Sequence, residues 1–570
     1  MNIDFDMKTF KRSWWPTLTA LSLAVAASVA KADERESLEA LRQTTLGLIN
    51  ALVDKGVLTR EVADGMLKQA QTKTVDATAA NAPTASAKPV QRVPYVSEAM
   101  KTQIRNEVKE EVLTQARAER WGVPNATPSW VDRIKIDGDF RFRYQQDSPS
   151  SDNLPASYYV ESVLGRDGTI RAPDFGTYTS TGLVTTSTNE GRDRERLRLR
   201  LGLTAKVTDE VGVGVRLATG NDSDRVSTNQ TLGQGFNKYP LLVDRAFVRV
   251  DPTEWLSVQA GRLPNPWFST DMIWSENLNF EGVAATTRWV KPEATFEPFA
   301  TMGAFPLRED SPPTRDGRWL YGAQIGAAWS PALRTKLKFG LAYYGYKNIE
   351  GRADNDFNGT TLTPGVSYGQ YEYSKGLRQK GNTLFETNAS LDTSLTQARN
   401  WGLAYKFRPV ALTASAELTH FSPYSLLLSA EYVKNTAFDV NDFQRRSGLV
   451  GDPGGKDDGY QFRMAFGASD VREAGQWQAS ATYRHLGSDA VLDAFTDSDL
   501  GLGGTNVQGY TLAFNYGLFR NTTLGVRYLA SSTIDTPLNQ TVVTSGAETI
   551  DYGKAKFKVN SFQVDFNVRF

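Results

Sequence analysis

The chain has 570 residues with 64 basic and 64 acidic side chains, so a zero net charge gives no reason to expect a nucleic-acid partner. It has no cysteine, which excludes disulfides, thiolate metal sites and cysteine nucleophiles. It has only two histidines, His420 and His485, which excludes a multi-histidine metal site. Mean hydropathy is -0.41, and only one apolar run, near the N-terminus, approaches the roughly 20 residues of a membrane-spanning helix.

Residues 1–32 have the three parts of an export signal. A positive region precedes an apolar stretch over residues 18–29, which is too short to span a membrane. The positive charges are Lys8, Lys11 and Arg12. Ala30-Lys31-Ala32 fits the small-residue pattern of a cleavage site, so the mature chain should begin near Asp33.

Three further segments precede the strand-rich region. Residues 33–70 predict a helical hairpin, because leucines recur at helical spacing from Leu38 to Leu52. Residues 71–95, rich in Ala, Thr, Pro and Lys, predict a flexible linker. Residues 96–130 predict an amphipathic helix. This helix either lies solvated at the base of the following domain or joins protomers in a coiled coil, and its few heptads do not decide between these.

From residue 131 to residue 570, apolar and polar residues alternate in successive segments. This period of two builds a strand with one apolar and one polar face. The candidate strands are residues 134–144, 193–207, 211–219, 243–251, 255–263, 280–290, 295–304, 318–329, 333–346, 400–419, 425–434, 459–469, 475–486, 507–517, 521–531 and 556–570. The connections are alternately short and long, which is typical of bacterial membrane barrels. We therefore predict an all-β transmembrane barrel of about sixteen antiparallel strands.

One candidate strand, 400–419, changes phase within itself. Its apolar residues are odd-numbered from Trp401 to Phe407 and even-numbered from Leu412 to Leu418. The sequence predicts a β-bulge at Pro409, because a bulge shifts the alternation by one residue and tolerates proline.

The final strand carries an intact apolar face, with an apolar residue at every second position from Phe562 to Phe570. This pattern resembles the signal read by the barrel-assembly machinery of Gram-negative bacteria, which we therefore expect as a partner. We also expect this strand to pair with strand 134–144 and close the barrel. Asp565 would then face the lumen.

The lumen-facing positions of the first two strands are rich in arginine. Strand 193–207 has leucine at every second position from Leu197 to Leu203, so the arginines between them should point inward. The inward arginines of the two strands are Arg141, Arg143, Arg194, Arg196, Arg198 and Arg200. Two interpretations remain open. In the first, the arginines shape the electric field of a passage; in the second, they pair with carboxylates such as Asp139 and Asp565.

The connection 264–279 is the second candidate site. It combines prolines and tryptophans with the carboxylates of Asp271 and Glu276, a composition unlike that of a mobile surface loop. It follows Gly261-Arg262 at the end of the preceding strand.

On three features the chain resembles the sixteen-stranded general porins of proteobacteria, and more closely a family of porins with an N-terminal helical extension. These features are the segment 198–203 (RLRLGL), the Gly261-Arg262 entry to the third loop, and the aromatic ending at Phe570. The resemblance implies that the third loop folds into the barrel and narrows its pore.

The resemblance also implies which side chains form the constriction. The wall residues would be Arg198, Arg200 and Arg262, and the carboxylates opposite them would be Asp271 and Glu276. The alternation of strand 255–263 conflicts with one assignment, because Arg262 shares the parity of outward Ala260. Arg262 reaches the lumen only if the strand twists at its end.

The resemblance implies a passive diffusion channel for small hydrophilic solutes in the Gram-negative outer membrane. It would be a homotrimer in outer-membrane lipid, with its N-terminal extension in the periplasm. The arginines favour an anion preference, and the alternatives are a substrate-selective anion channel or an envelope-tethering barrel. We expect no enzyme activity, catalytic residue, cofactor or metal, because neither His420 nor His485 has a convincing serine and acid partner.

Overall fold

The computed structural model describes residues 133–154, 176–179, 182–185, 187–289, 294–309, 317–353, 371–374, 376–387, 400–535, 543–545, 548–550 and 556–570. The predicted signal peptide (1–32), helical hairpin (33–70), linker (71–95) and amphipathic helix (96–130) lie outside the described residues. None of the helices among the described residues is long and apolar enough to cross a membrane.

Sixteen long antiparallel strands of the described residues close into a barrel, which confirms the predicted fold. The first eight are β1 (Ile134–Pro149), β2 (Arg192–Lys206), β3 (Val211–Ala218), β4 (Leu242–Thr253), β5 (Leu256–Pro264), β6 (Asn279–Arg288), β7 (Phe296–Arg308) and β8 (Arg318–Ala332). The other eight are β9 (Thr335–Lys347), β10 (Pro409–Leu418), β11 (Ser425–Asn435), β12 (Asp458–Gly467), β13 (Trp477–Leu486), β14 (Val507–Phe519), β15 (Thr522–Thr533) and β16 (Lys558–Arg569).

The barrel closes between its first and last strands. β1 pairs antiparallel with β2 on one side and with β16 on the other, and Phe142 lies opposite Phe566. At the end of this seam, the Gly138 N–H donates to the Phe570 carbonyl at 2.9 Å, and the Phe570 N–H donates back at 3.0 Å. Every strand therefore has two neighbours, and the barrel leaves no strand edge unpaired.

The outer face of the barrel is apolar and the inner face is polar. On β8, Tyr321 and Ile325 are exposed on the outside, whereas Gln324 between them is buried in the interior. On β14, Tyr510, Leu512, Phe514 and Tyr516 are likewise exposed. This alternation matches a surface that contacts membrane lipid and an interior that contacts water.

The predicted strand 400–419 requires a correction, because only Pro409–Leu418 belongs to the barrel. Trp401–Leu403 pairs instead with Leu384–Glu386 inside a long connection, and the phase change marks a boundary between elements rather than a bulge. Leu403, Ala404, Tyr405 and Phe407 are all fully buried. The apolar residues of this segment alternate as in a barrel strand, but both of its sides are covered by protein.

The long connections at one end of the barrel pack into a structure that we call the cap: residues 376–387, 400–407, 436–457 and 487–506. It contains one helix, α1 (Val440–Ser447), whose N-cap Asp439 accepts the N–H groups of Asn441 and Asp442. Phe443 of this helix packs edge-on against Phe385, with ring centroids 5.4 Å apart. Below, the end of the barrel that carries the cap is the long-loop end, and the other is the short-turn end.

Candidate functional site

Three cavities follow one another along the interior of the barrel. The outer cavity, at the long-loop end, has a volume of about 840 Å³ and is lined by cap residues and the upper parts of β1 and β2. The central cavity measures about 560 Å³, and the inner cavity, near the short turns, about 880 Å³. Ser498 lines both the outer and central cavities, while Arg141 and Arg198 line both the central and inner ones. The cavities therefore adjoin one another along a single passage.

A column of arginines runs along this passage on β1 and β2. Register places Arg141 opposite Arg198 and Arg143 opposite Arg196, and all four side chains face the interior. Inward side chains on one strand are about 6.6 Å apart, because a strand rises about 3.3 Å per residue. From Arg194 to Arg200, four guanidinium groups therefore cover about 20 Å of the passage.

Most arginines in this column are paired with carboxylates. Arg194 pairs with Asp147, whereas Arg198 and Arg200 share Asp139 at 2.7 and 2.6 Å. Arg143 donates from Nε and Nη2 to the two carboxylate oxygens of Asp565, at 2.6 and 2.8 Å. This fork is the strong two-bond geometry that arginine forms with a carboxylate.

Two arginines of the column differ, because their hydrogen-bond partners within the described residues are amides. Arg141 donates to the Asn229 side-chain oxygen, and Arg196 donates to Gln145 Oε1 at 3.2 Å. In both arginines Nε–H is buried without a hydrogen-bond partner among the described residues. An amide oxygen satisfies a donor without cancelling the charge, so these guanidinium groups keep their full positive charge.

The third long connection, residues 265–278, folds into the barrel. The Phe268 N–H donates to Gln324 Oε1 at 2.8 Å on β8, and Gln324 Nε2 donates back to the Phe268 carbonyl at 2.7 Å. Farther along, the Thr270 N–H and hydroxyl donate to the Glu431 carboxylate on β11. The loop therefore crosses the interior from its own strands to the far wall.

An aromatic core fixes the same loop against the wall. Trp267 and Trp274 pack edge-on against the Tyr344 ring, with centroids 5.3 and 5.1 Å away, and Trp274 also contacts Phe280 at 5.0 Å. Edge-to-face aromatic contacts of this kind each add about 1 kcal/mol beyond area burial. The loop is thus a packed element that narrows the passage.

A second loop also enters the passage, and the sequence did not predict its burial. Residues 487–506 lie almost wholly buried, and their chain contacts the third loop directly. The Ser275 N–H donates to the Phe495 carbonyl at 2.8 Å, and the Asp497 N–H donates to the Asp271 carbonyl at 3.1 Å. The apolar run Ala490-Val491-Leu492 was the only signal of this burial, since a loop core has no periodic pattern.

The second loop brings two carboxylates to the central cavity, Asp497 and Asp499. Asp499 accepts from Arg143 Nη1 at 3.2 Å and from Arg527 Nη1 at 3.0 Å. Burial alone would raise the pKa of Asp499, but the charges of Arg143 and Arg527 hold it well below its usual range. Burial, followed by the charges of Asp499 and Asp271, raises the pKa of Asp497 to about 6.

The structure brings most of the predicted site residues to the passage. Asp271 and Glu276 both line the central cavity, and Glu276 also lines the inner cavity with Arg141, Arg198 and Arg200. Asp271, however, accepts from Arg484 Nη2 at 2.9 Å, so its partner lies on β13 and not in the arginine column.

Arg262 is the exception among the predicted wall residues. It lies opposite the outward-facing Ala246, where its guanidinium bonds Glu281 and donates from Nε to the Asp244 carbonyl at 2.9 Å. The expected twist at the strand end does not bring it into any of the three cavities, because β5 keeps its alternation through Leu263, which is buried in the interior. The alternation of the strand predicted the position of Arg262 correctly, whereas the resemblance to general porins did not.

A family model described as "Putative porin" matches residues 42–570 of the chain. The chain belongs to this porin family. A protein of this family with a transmembrane barrel fold is a channel of the outer membrane. No curated protein matches the sequence.

The solved structures that are similar to this porin are distant from it in sequence. The outer membrane channel DcaP of Acinetobacter baumannii is 11% identical, with 77% of this chain and 97% of that chain covered and a TM-score of 0.37. OprB of Pseudomonas putida, at high pH, is 12% identical, with 77% and 95% covered and a TM-score of 0.41. The anion-selective porin from Comamonas acidovorans is 12% identical, with 77% and 99% covered and a TM-score of 0.36.

Basic side chains outnumber acidic ones in every part of the passage through this porin. The outer cavity is lined by six basic and three acidic residues, the central one by five and four, and the inner one by eight and five. A narrow aqueous passage between low-dielectric walls concentrates the field of such an excess. Among the described residues that line the passage, the excess of positive charge is therefore smallest in the central cavity.

Proposed function

We propose that this porin is a passive diffusion channel for small hydrophilic solutes and that it prefers anions. The observation that carries the proposal is the arginine column, in which Arg141 and Arg196 hold positive charges that carboxylates of the described residues do not cancel. Arginine remains charged at any physiological pH, so the preference should persist across that range. The long-loop end would face the outside and the short turns the periplasm.

Ion selectivity tests this proposal directly. The reversal potential of the purified protein in a planar bilayer across a potassium chloride gradient should show anion preference. Replacing Arg198 and Arg200 together by alanine should reduce it, because Asp139 then faces the passage uncompensated. The matched control is the double replacement of Arg249 and Arg262, two arginines outside the three cavities, which should leave the potential unchanged. Cation preference in the unmodified protein would contradict the proposal.

A substrate-selective anion channel is the second candidate. The two loops that enter the barrel favour it, because they leave a central cavity of only about 560 Å³ between the larger outer and inner cavities. A selective channel has a binding site, so its conductance saturates as the anion concentration rises, whereas free diffusion gives a linear increase. Conductance measured over a wide range of acetate concentrations separates the two.

We propose in addition that the porin is a homotrimer that associates through the outer face of β2–β6. The large outward side chains of these strands are aliphatic, among them Leu203, Val215, Val248 and Val283. Strands β7–β16 instead expose tyrosine, phenylalanine and tryptophan, which suit contact with lipid.

The trimer proposal predicts different effects of the same substitution on the two faces. Val248→Trp should dissociate the trimer, whereas Leu512→Trp, an outward position on the aromatic face, should not. Electrophoresis without heating and mass measurement in detergent report the oligomer. Equal behaviour of the two variants would place the contact elsewhere.

A further inference from the structure

The column of arginines is divided by the kind of partner that each guanidinium has. Arg143 is 1% exposed, and its donors are taken by the carboxylates of Asp565 and Asp499. Arg198 and Arg200 are bound to Asp139. Donors of these groups are engaged with carboxylates, so the groups bind a passing anion less readily than an arginine without a carboxylate partner does.

Arg196 and Arg141 retain that capacity. Gln145, which accepts from Arg196, is itself oriented by its Nε2 donation to Asp147 at 2.9 Å. Asn229, which accepts from Arg141, is oriented in the same way by donation to Ser227 Oγ at 3.1 Å. Each amide therefore holds its guanidinium in place with a neutral contact and leaves the charge available.

The two arginines lie at different depths. Arg196 lines the outer cavity, whereas Arg141 lines the central and inner cavities. A third guanidinium without a carboxylate partner in the described residues, Arg463 on β12, also lines the central cavity and reaches Gln478 Oε1 at 3.4 Å. Positive charge therefore reaches the central cavity from two strands, β1 and β12.

We propose that Arg196 and Arg141 are two successive binding sites for small oxyanions, the first in the outer cavity and the second in the central cavity. The inference rests on the proposed anion preference, names the groups that produce it, and favours the substrate-selective channel over free diffusion. The ligand class is a carboxylate or phosphate group, because a guanidinium fork matches two oxygens of either one. An anion entering from the outer cavity binds Arg196, opposite which Arg143 is already bound by carboxylates, and then binds Arg141 with Arg463 nearby.

Replacement of arginine by lysine separates binding from charge. Arg141→Lys and Arg196→Lys keep the positive charge but lose the fork, so the reversal potential in potassium chloride should stay close to that of the unmodified protein. The conductance in sodium phosphate should saturate in the unmodified protein. Each lysine variant should raise the half-saturating phosphate concentration roughly fivefold, the effect of exchanging a two-bond contact for a single one. Sodium acetate is the second probe, and it shows whether carboxylates bind at the same groups.

A second pair of variants controls for charge and folding. Arg141→Gln should lower the anion preference and raise the half-saturating phosphate concentration. Asp147→Asn should lower that concentration, because it releases the guanidinium of Arg194. Arg249→Lys, at an exposed ion pair outside the cavities, should match the unmodified protein in every measurement. Phosphate conductance that saturates equally in the lysine variants would overturn the inference. So would the absence of saturation in a protein that still prefers anions. Cation preference would instead overturn the proposed function and the inference with it.

Discussion

Arg143 and Asp565 form a buried two-bond ion pair across the seam between the first and last strands of the barrel. Arg143 is 1% exposed and the Asp565 side chain 9%, and the two residues lie opposite each other in the strand register. The pair therefore joins positions that are 422 residues apart in sequence. It connects the closure of the barrel to the charges of its passage, because Arg143 also binds Asp499 of the second inserted loop.

Asp565→Ala should destabilise the barrel by about 3 kcal/mol, because it leaves the buried charge of Arg143 with only the longer contact to Asp499, which Arg527 shares. Urea unfolding in detergent micelles measures the loss. The control is Arg569→Ala, which breaks an ion pair with Asp470 whose two side chains are each 46% exposed and should change stability by less than about 1 kcal/mol. Equal stability of the two variants would show that Asp499 alone satisfies Arg143.

Glu431→Ala should release the third loop from the wall. The carboxylate of Glu431 accepts the N–H and hydroxyl of Thr270 as well as the Thr413 hydroxyl at 2.7 Å, so it is the principal polar attachment of this part of the loop. We expect a higher and noisier single-channel conductance. Glu417→Ala provides the comparison, because Glu417 lies on β10 opposite Lys336 in the register. A variant at position 431 with the conductance of the unmodified protein would show that the aromatic contacts of Trp267 and Trp274 hold the loop alone.

The strands could be predicted from the sequence because each has a membrane-facing and a water-facing side, which imposes a period of two. The prediction was wrong over 400–408, because the segment from Trp401 to Phe407 alternates as a barrel strand does although both of its sides are buried. Loop 487–506 was missed because a loop that is buried by protein on all sides has no periodic pattern. Its burial depends on contacts with distant segments, such as Asn382 Nδ2 donating to the Ser488 carbonyl at 2.6 Å.

The positions of the candidate site residues could be predicted where they follow from the alternation of side chains along a strand. Alternation gave the inward position of Arg141 and Arg198, whose cavity-lining role comes directly from the strand register. It could not show which arginines have carboxylate partners. The acids involved lie on other strands or loops, and their alignment is a product of the closed barrel.

Removal of residues 33–130, with the signal peptide kept, should leave the single-channel conductance unchanged. Every described residue that lines the three cavities lies beyond position 133. We also expect trimers to persist, because the proposed contact surface lies on β2–β6. Loss of trimers in the shortened protein would assign the helical segment 96–130 an assembly role and support the coiled-coil interpretation.

The cap should become more resistant to unfolding as the pH falls from 8 to about 5.5. Asp489 is fully buried and accepts from the Thr383 N–H at 2.9 Å, from the Thr383 hydroxyl at 2.6 Å and from the Ser488 hydroxyl at 2.8 Å. Burial raises its pKa from the ordinary value of 3.8 to about 7. An acid whose pKa is higher in the folded state binds its proton more tightly there, so its ionisation above pH 7 destabilises the cap. That cost is relieved as the pH falls through 7.

Proteolysis of the cap at pH 8 and pH 5.5 measures this effect, with cleavage of an unfolded substrate used to correct for the pH dependence of the protease. We expect cleavage several-fold slower at pH 5.5. Asp489→Asn keeps an acceptor for Thr383 and removes the titrating group, so the difference between the two pH values should shrink. It should not vanish, because Asp497, with its pKa raised to about 6, titrates in the same range. A pH difference that is unchanged in the Asp489→Asn variant would show that Asp497 and its contacts to the third loop control the stability of the cap.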